Sequence, residues 1–308
     1  MRLDQLPRSE NVEDRRGEIG RGGGGIRIPG GRGGLGIGAI ILLVLLGWWL
    51  GIDPSVLIGA GDVLTGGGRS QQQTQNAPDQ KQADAGGASD QTKEMVSAVL
   101  GSTEVVWGKM FQESGKQYEP PTLVMFSEVT RSGCGFAQSA MGPFYCPLDR
   151  KVYLDTSFFR DLERRFHGCS AGSKACQFSQ AYVITHEIGH HVQNLLGILP
   201  KVQRMQQNLD KTEANQLQVR VELQADCLAG VWANHSEQEW QFIEPGDVEA
   251  AMQTASAIGD DRLQRQNQGY VVPDAFTHGS STQRTRWFMS GLKSGKVESC
   301  DTFSSAGL

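Results

Sequence analysis

The sequence predicts an α+β domain, a small antiparallel sheet followed by a helical half, behind one N-terminal transmembrane helix. Three observations carry this. Short Val-, Tyr- and Phe-containing runs bounded by turn residues cluster between 122 and 155. After Gln177 the chain is helix-compatible with few breaks. Between Arg32 and Asp53 lie 20 residues without a charge, enough to span a bilayer as a helix. A length of 308 residues suits one medium domain with appendages. The net charge of -5 is spread without a basic stripe and argues against a nucleic-acid partner.

Taken in order, residues 1–34 are Gly- and Arg-rich and read as a disordered cytoplasmic segment, because GRGGGGIRIPGGRGG cannot build a core. Residues 35–52 read as the transmembrane helix, with Trp48 and Trp49 near one end. Seven arginines precede it and the next basic residue is Arg69, so the positive-inside rule expects a single-pass inner (cytoplasmic) membrane protein, N-terminus cytoplasmic and the rest periplasmic. The polar stretch 53–90 reads as a flexible linker, and 91–308 as the folded domain.

All six cysteines fall after residue 130, which suits disulfides in an oxidising compartment. Short loops favour pairing Cys134 with Cys146 and Cys169 with Cys176, leaving Cys227 for Cys300; buried free thiols are the competing reading. Within the domain, Met95, Val99, Val106, Met110 and Phe111 recur at helical spacing. TLVMFSEV (122–129) reads as a strand, and GPFYC and KVYLD as a hairpin. Asp155, Thr156 and Ser157 offer caps for a helix to about Phe166. Later helices break near Gly197–Pro200, Pro245–Gly246 and Gly269–Pro273.

The chemistry sits in AYVITHEIGHHVQNLLG (181–197). On a helix His186 and His190, four apart, share a face and can hold one zinc ion, while Glu187 is placed to take a proton from a water on that metal. A catalytic zinc needs three protein ligands and one open position. Peptidases that take a third histidine six residues after the second are excluded, since Leu196 stands there and Gln193 replaces the glycine of that pattern. The third ligand is expected to be Glu222, in an apolar helix over 213–235. Asp226, one turn on, would accept the outer N–H of a ligating histidine. His191 points off the metal face and reads as structural, and Asp260–Asp261 as a solvated acidic pair.

The segments HEIGHHVQN, ELQADCLAG and AFTHGSSTQRTRWFMSGL, with GPFYCPLDRKVYLD, resemble the neutral zinc metallopeptidase family of the YpfJ type over nearly the whole chain. HExxH plus ExxxD is shared with the wider glutamate-ligand zincins. The resemblance implies a zincin-like fold, one Zn2+ per chain on His186, His190 and Glu222, Glu187 as base, and a protein or peptide substrate. The wider group has His-Pro followed by Arg after the ExxxD helix; here His278 and Arg284 match, but Gly279 replaces the proline. His278 could donate to an oxyanion or be a cap or surface residue; Arg284 could hold a substrate carbonyl or brace the site. A zinc-dependent endopeptidase is the leading expectation. A zinc amidase acting on cell-wall peptides and a silent zinc-stabilised scaffold are the alternatives.

Overall fold

A computed structural model of the chain describes residues 1–17, 81–138, 141–164 and 175–304. The architecture is α+β, and the sheet is mixed rather than antiparallel. Its four strands run in the order β1 (Val12–Asp14), β2 (Thr122–Phe126), β6 (Lys151–Asp155), β5 (Phe144–Cys146). β1 and β6 flank β2 in parallel, and only β5 lies antiparallel, with Phe144 opposite Tyr153 and Cys146 opposite Lys151. The predicted hairpin is therefore present, but its second strand docks beside β2 in the same sense. β3 (Val129–Ser132) and β4 (Gly135–Gln138) make a separate antiparallel hairpin.

β2 is apolar from Leu123 to Phe126 because both its faces are covered. Leu123 and Met125 join the main core with Val152 and Leu154, whereas Val124 and Phe126 pack with Tyr153 and with Ala137 of the β3–β4 hairpin. Helix α1 (Lys81–Glu113) buries Met95, Val99 and Trp107 in the main core. Helices α2 (Ser157–Arg164), α3 (Ala175–Leu195), α4 (Ile198–Gln206), α5 (Lys211–Trp240), α6 (Asp247–Ala257), α7 (Asp260–Gln268) and α8 (Ser281–Ser294) follow. Asp155 starts α2 by accepting from the Ser157 N–H at 2.7 Å. Capping boxes pin the starts of α5 (Asp210 with Glu213) and α8 (Ser280 with Gln283). α5 and α8 touch backbone to backbone: a Cβ on Gly291 would lie 1.9 Å from the Cys227 oxygen. Phe178, Trp232 and Phe242 close the core between α3 and α5.

Four expectations need correction. The segment 1–34 is not disordered at its start: β1 pairs with β2, and the Arg15 N–H donates to the Met125 oxygen at 2.8 Å. Among the described residues no helix is long and apolar enough to cross a membrane, and the stretch 35–52 lies outside them. The single-pass inner-membrane placement falls with it for a topological reason. Residues 12–14 and 123–125 are neighbours in one sheet, and one crossing between them would part them. The expected linker lies outside the described residues up to residue 80, and its remainder belongs to α1.

Two expected disulfides are present, Cys134–Cys146 and Cys227–Cys300. The first ties the turn of the β3–β4 hairpin to the end of β5, and the second ties α5 to a short 3-10 turn, Val297–Cys300. Cys176 is also disulfide-bonded, and Cys169 lies outside the described residues.

Candidate metal centre

α3 supplies His186, Glu187 and His190; α5 supplies Glu222 and Asp226. Their approach depends on small residues. A Cβ on Gly189 would sit 2.9 Å from the Ala225 oxygen and 3.2 Å from its Cβ, so glycine between the two histidines lets α5 come close enough for Glu222 to reach them. His186 Nε2 lies 3.2 Å and His190 Nε2 3.5 Å from Glu222 Oε2. Tetrahedral ligands at roughly 2.0–2.1 Å from zinc stand about 3.3 Å apart, so these separations suit one ion. Among the described residues this is the cluster whose donor atoms converge, all within 4.8 Å of one another.

Each histidine is held from behind. His186 Nδ1 donates to Asp226 Oδ1 at 2.8 Å, leaving Nε2 toward Glu222. Asp226 is fully buried and also receives the Tyr182 hydroxyl at 2.5 Å and Arg284 through Nε at 2.9 Å and Nη2 at 3.0 Å. Burial would raise the Asp226 carboxyl, but Arg284 and His186 outweigh it and hold it at about 2. Burial would likewise lower His186, yet Asp226 and Glu222 carry it up to about 10. His190 Nδ1 meets Gln193 Oε1 at 2.9 Å. Glu222 keeps its carboxyl well below the usual range despite burial, through the two histidines, and its Oε1 accepts from Gln218 at 2.9 Å. Glu187 is 7% exposed, and desolvation raises its carboxyl.

These groups open on a cleft of about 550 Å³. Phe144 and Tyr145 of β5 line one wall, Leu199 and Val202 of α4 another, and His278 and Arg284 a third. His278 lies at the rim with its side chain 54% exposed. Asp260 anchors its loop, its Oδ2 accepting the N–H groups of Thr277, His278 and Gly279 at 2.7, 2.6 and 3.0 Å, while Oδ1 lies 3.3 Å from His278 Nδ1. Asp260 is therefore not solvated, and Asp261 likewise receives Ser281 N–H at 2.7 Å and Oγ at 2.8 Å. Gly279 has φ of 92°, a conformation closed to proline, whose ring fixes φ near about -65°. That accounts for glycine where the wider group has proline. Arg284, 3% exposed, is turned to Asp226, Tyr182 and the Ile258 oxygen. His191 faces away, between the Tyr145 hydroxyl (3.1 Å) and the Glu119 oxygen (2.7 Å), and burial drives it down to about 4.

The family model described as "Putative neutral zinc metallopeptidase" matches residues 1–303. The chain belongs to the neutral zinc metallopeptidase family. The uncharacterized protein YpfJ of Escherichia coli strain K12 is 47% identical over 306 residues, 98% of this chain and 99% of that protein. The uncharacterized protein Rv2575 of Mycobacterium tuberculosis strain H37Rv is 41% identical over 222 residues, 69% of this chain and 71% of its own length. No solved structure matches the chain. Membership implies zinc, and the two imidazoles and one carboxylate brought together here form a donor set that zinc accepts.

Tyr182, Gln193, Gln218 and Asp260 escaped the sequence reading as site residues. Tyr182 precedes His186 by one helical turn and Gln218 precedes Glu222 by one, so helical spacing from the ligands was the available signal. Asp260 had none, because its partners lie in a loop far along the chain.

Proposed function

We propose that this protein is a zinc-dependent endopeptidase, with His186, His190 and Glu222 holding one zinc ion and Glu187 acting as general base. The observation that carries the reading is the convergence of the three donor atoms in an open cleft with Glu187 beside them. Zinc, when bound, supplies a Lewis acid for the scissile carbonyl and lowers the pKa of the attacking water. Glu187 takes the proton of that water on its carboxylate and passes it to the leaving amine nitrogen. Its buried position makes it a stronger base than a solvated glutamate, because desolvation raises its proton affinity.

The substrate is an extended protein or peptide segment. β5 is an outer strand of the sheet and lines the cleft, so its free side can pair with such a segment and lay it across the metal site. His278 at the rim, its loop tied down by Asp260, stands where it can donate to the oxyanion of a tetrahedral intermediate. Arg284 acts through Asp226 and not on the substrate. A protein that keeps Glu187 in an open cleft is poorly explained as a scaffold, since a structural zinc site closes its fourth position with protein.

The test is Glu187→Gln in the full chain, assayed for zinc content and for hydrolysis of a denatured protein. Zinc should stay near one per chain, while turnover falls by about 10²–10⁴-fold. Full activity with zinc retained would sink the assignment of the base.

A further inference from the structure

The two histidines of the metal site are supported by different chemistry, and the support of His190 has a fixed direction that can be read from backbone groups. A side-chain amide can be built either way round, so its donors and acceptors must be assigned from its neighbours. Gln193 is completely buried, and its nitrogen lies 2.8 Å from the Val221 carbonyl oxygen. A carbonyl can only accept, so the Gln193 end facing it must be the NH₂ group. The second hydrogen of that NH₂ goes to Gln224 Oε1 at 3.0 Å. Gln224 is fixed by the same logic, since its own nitrogen lies 3.0 Å from the Cys300 carbonyl oxygen. Cys300 is in turn held by its disulfide to Cys227.

The polarity then runs in one sense to the metal site. With its nitrogen committed, Gln193 can present only its carbonyl oxygen to His190 Nδ1, 2.9 Å away. Nδ1 must carry the hydrogen, and the lone pair is left on Nε2, the atom 3.5 Å from the ligand oxygen of Glu222. We propose that Gln193 is the positioning residue for His190: its amide, locked by the Val221 carbonyl and by Gln224, fixes the ring orientation and tautomer in which Nε2 faces the metal. This rests on the metal site assigned above. No charge takes part in the chain from Cys300 to His190, which matters in a place already crowded with ionised groups. An acidic residue at 193 would do the accepting, but would lose the donation to the Val221 and Gln224 oxygens and add a buried charge.

Two substitutions in the full chain separate positioning from plain packing. Gln193→Met keeps volume and removes both polar ends; Gln193→Glu keeps an acceptor for Nδ1 and removes the donor. Zinc dissociation constants by chelator competition, beside unfolding midpoints of the zinc-free proteins, are the readouts. The expectation is that Gln193→Met weakens zinc binding by roughly 10–100-fold, the range found when partners of metal-bound histidines are removed. Gln193→Glu should lower the unfolding midpoint yet keep the zinc dissociation constant within about threefold of the parent, because its acceptor remains. Parent-like zinc affinity in Gln193→Met overturns the proposal. So does a loss of zinc affinity in both variants that simply follows their loss of stability. A Glu222→Ala control run beside them distinguishes the failures: zinc bound there as tightly as in the parent overturns the metal site itself, whereas a failure confined to position 193 overturns only the positioning role.

Discussion

His186 and His190 sit one turn apart on the same helix, and they are held in the same orientation by opposite kinds of partner. His186 leans on a buried carboxylate, Asp226, which is compensated by Arg284 and Tyr182. His190 leans on a neutral amide three residues along its own helix. The first arrangement draws on three helices, α3, α5 and α8, and the second on α3 and α5 alone with the Cys300 carbonyl behind them. The difference teaches where fragility lies. Breaking the charged support strands an ion in the interior, while breaking the neutral one strands a single donor or acceptor.

The largest effect is therefore expected from Arg284→Met. Asp226, with no exposure to solvent, would keep His186 but lose its permanent cationic partner and two hydrogen bonds, and a buried pair broken from one side typically costs about 3–5 kcal/mol. Urea unfolding of the zinc-free protein measures this; a loss under about 1 kcal/mol would mean that the charged support is no more brittle than the neutral one. A third histidine sharpens the contrast. His191 is as buried as His186 but meets only a phenol and a carbonyl, and it is pushed down to about 4 while His186 is carried up to about 10. A depressed histidine contributes stability that is present above its unfolded value of 6.5 and lost as pH falls toward the folded value. At about 1.4 kcal/mol per pH unit, full loss amounts to about 3 kcal/mol. Guanidinium unfolding between pH 7 and pH 4.5 should show a shallower acid slope in His191→Gln, which keeps an acceptor and a donor without titrating; equal slopes would remove His191 from the account. Smallest is Gly189→Ala, which forces α3 from α5 at the contact both supports share, at about 1–3 kcal/mol and with weaker zinc binding. If zinc affinity is untouched there, helix approach is not what assembles the ligands.

The residues of the proposed metal site were legible because their chemistry repeats at helical spacing. His186 with His190 and Glu222 with Asp226 are each four apart, and each pair lies on one helix face in the structure. The hairpin of β5 and β6 was legible from two short aromatic- and Val-containing runs that flank turn residues. The sense in which it joins β2 was not, since parallel and antiparallel neighbours look alike within a single strand. β1 was missed because three residues, Val12–Asp14, carry no periodicity, and the Gly- and Arg-rich run after them dominates the local composition. Arg284 could be found by motif, but its engagement with Asp226, 58 positions earlier, depends on how α8 packs on α5 through Gly291.

The pairing of β1 with β2 has a consequence for synthesis. Val12 stands opposite Leu123, so the strand that leaves the ribosome first waits for more than a hundred further residues before its neighbour exists. A nascent chain adds roughly 5–20 residues per second, so β1 spends several seconds without a partner. The sheet cannot close by local steps alone, since one of its seams joins strands made far apart in time. A fragment begun at residue 91 never makes that seam and leaves the long edge of β2, with its unpaired backbone groups, open to other chains.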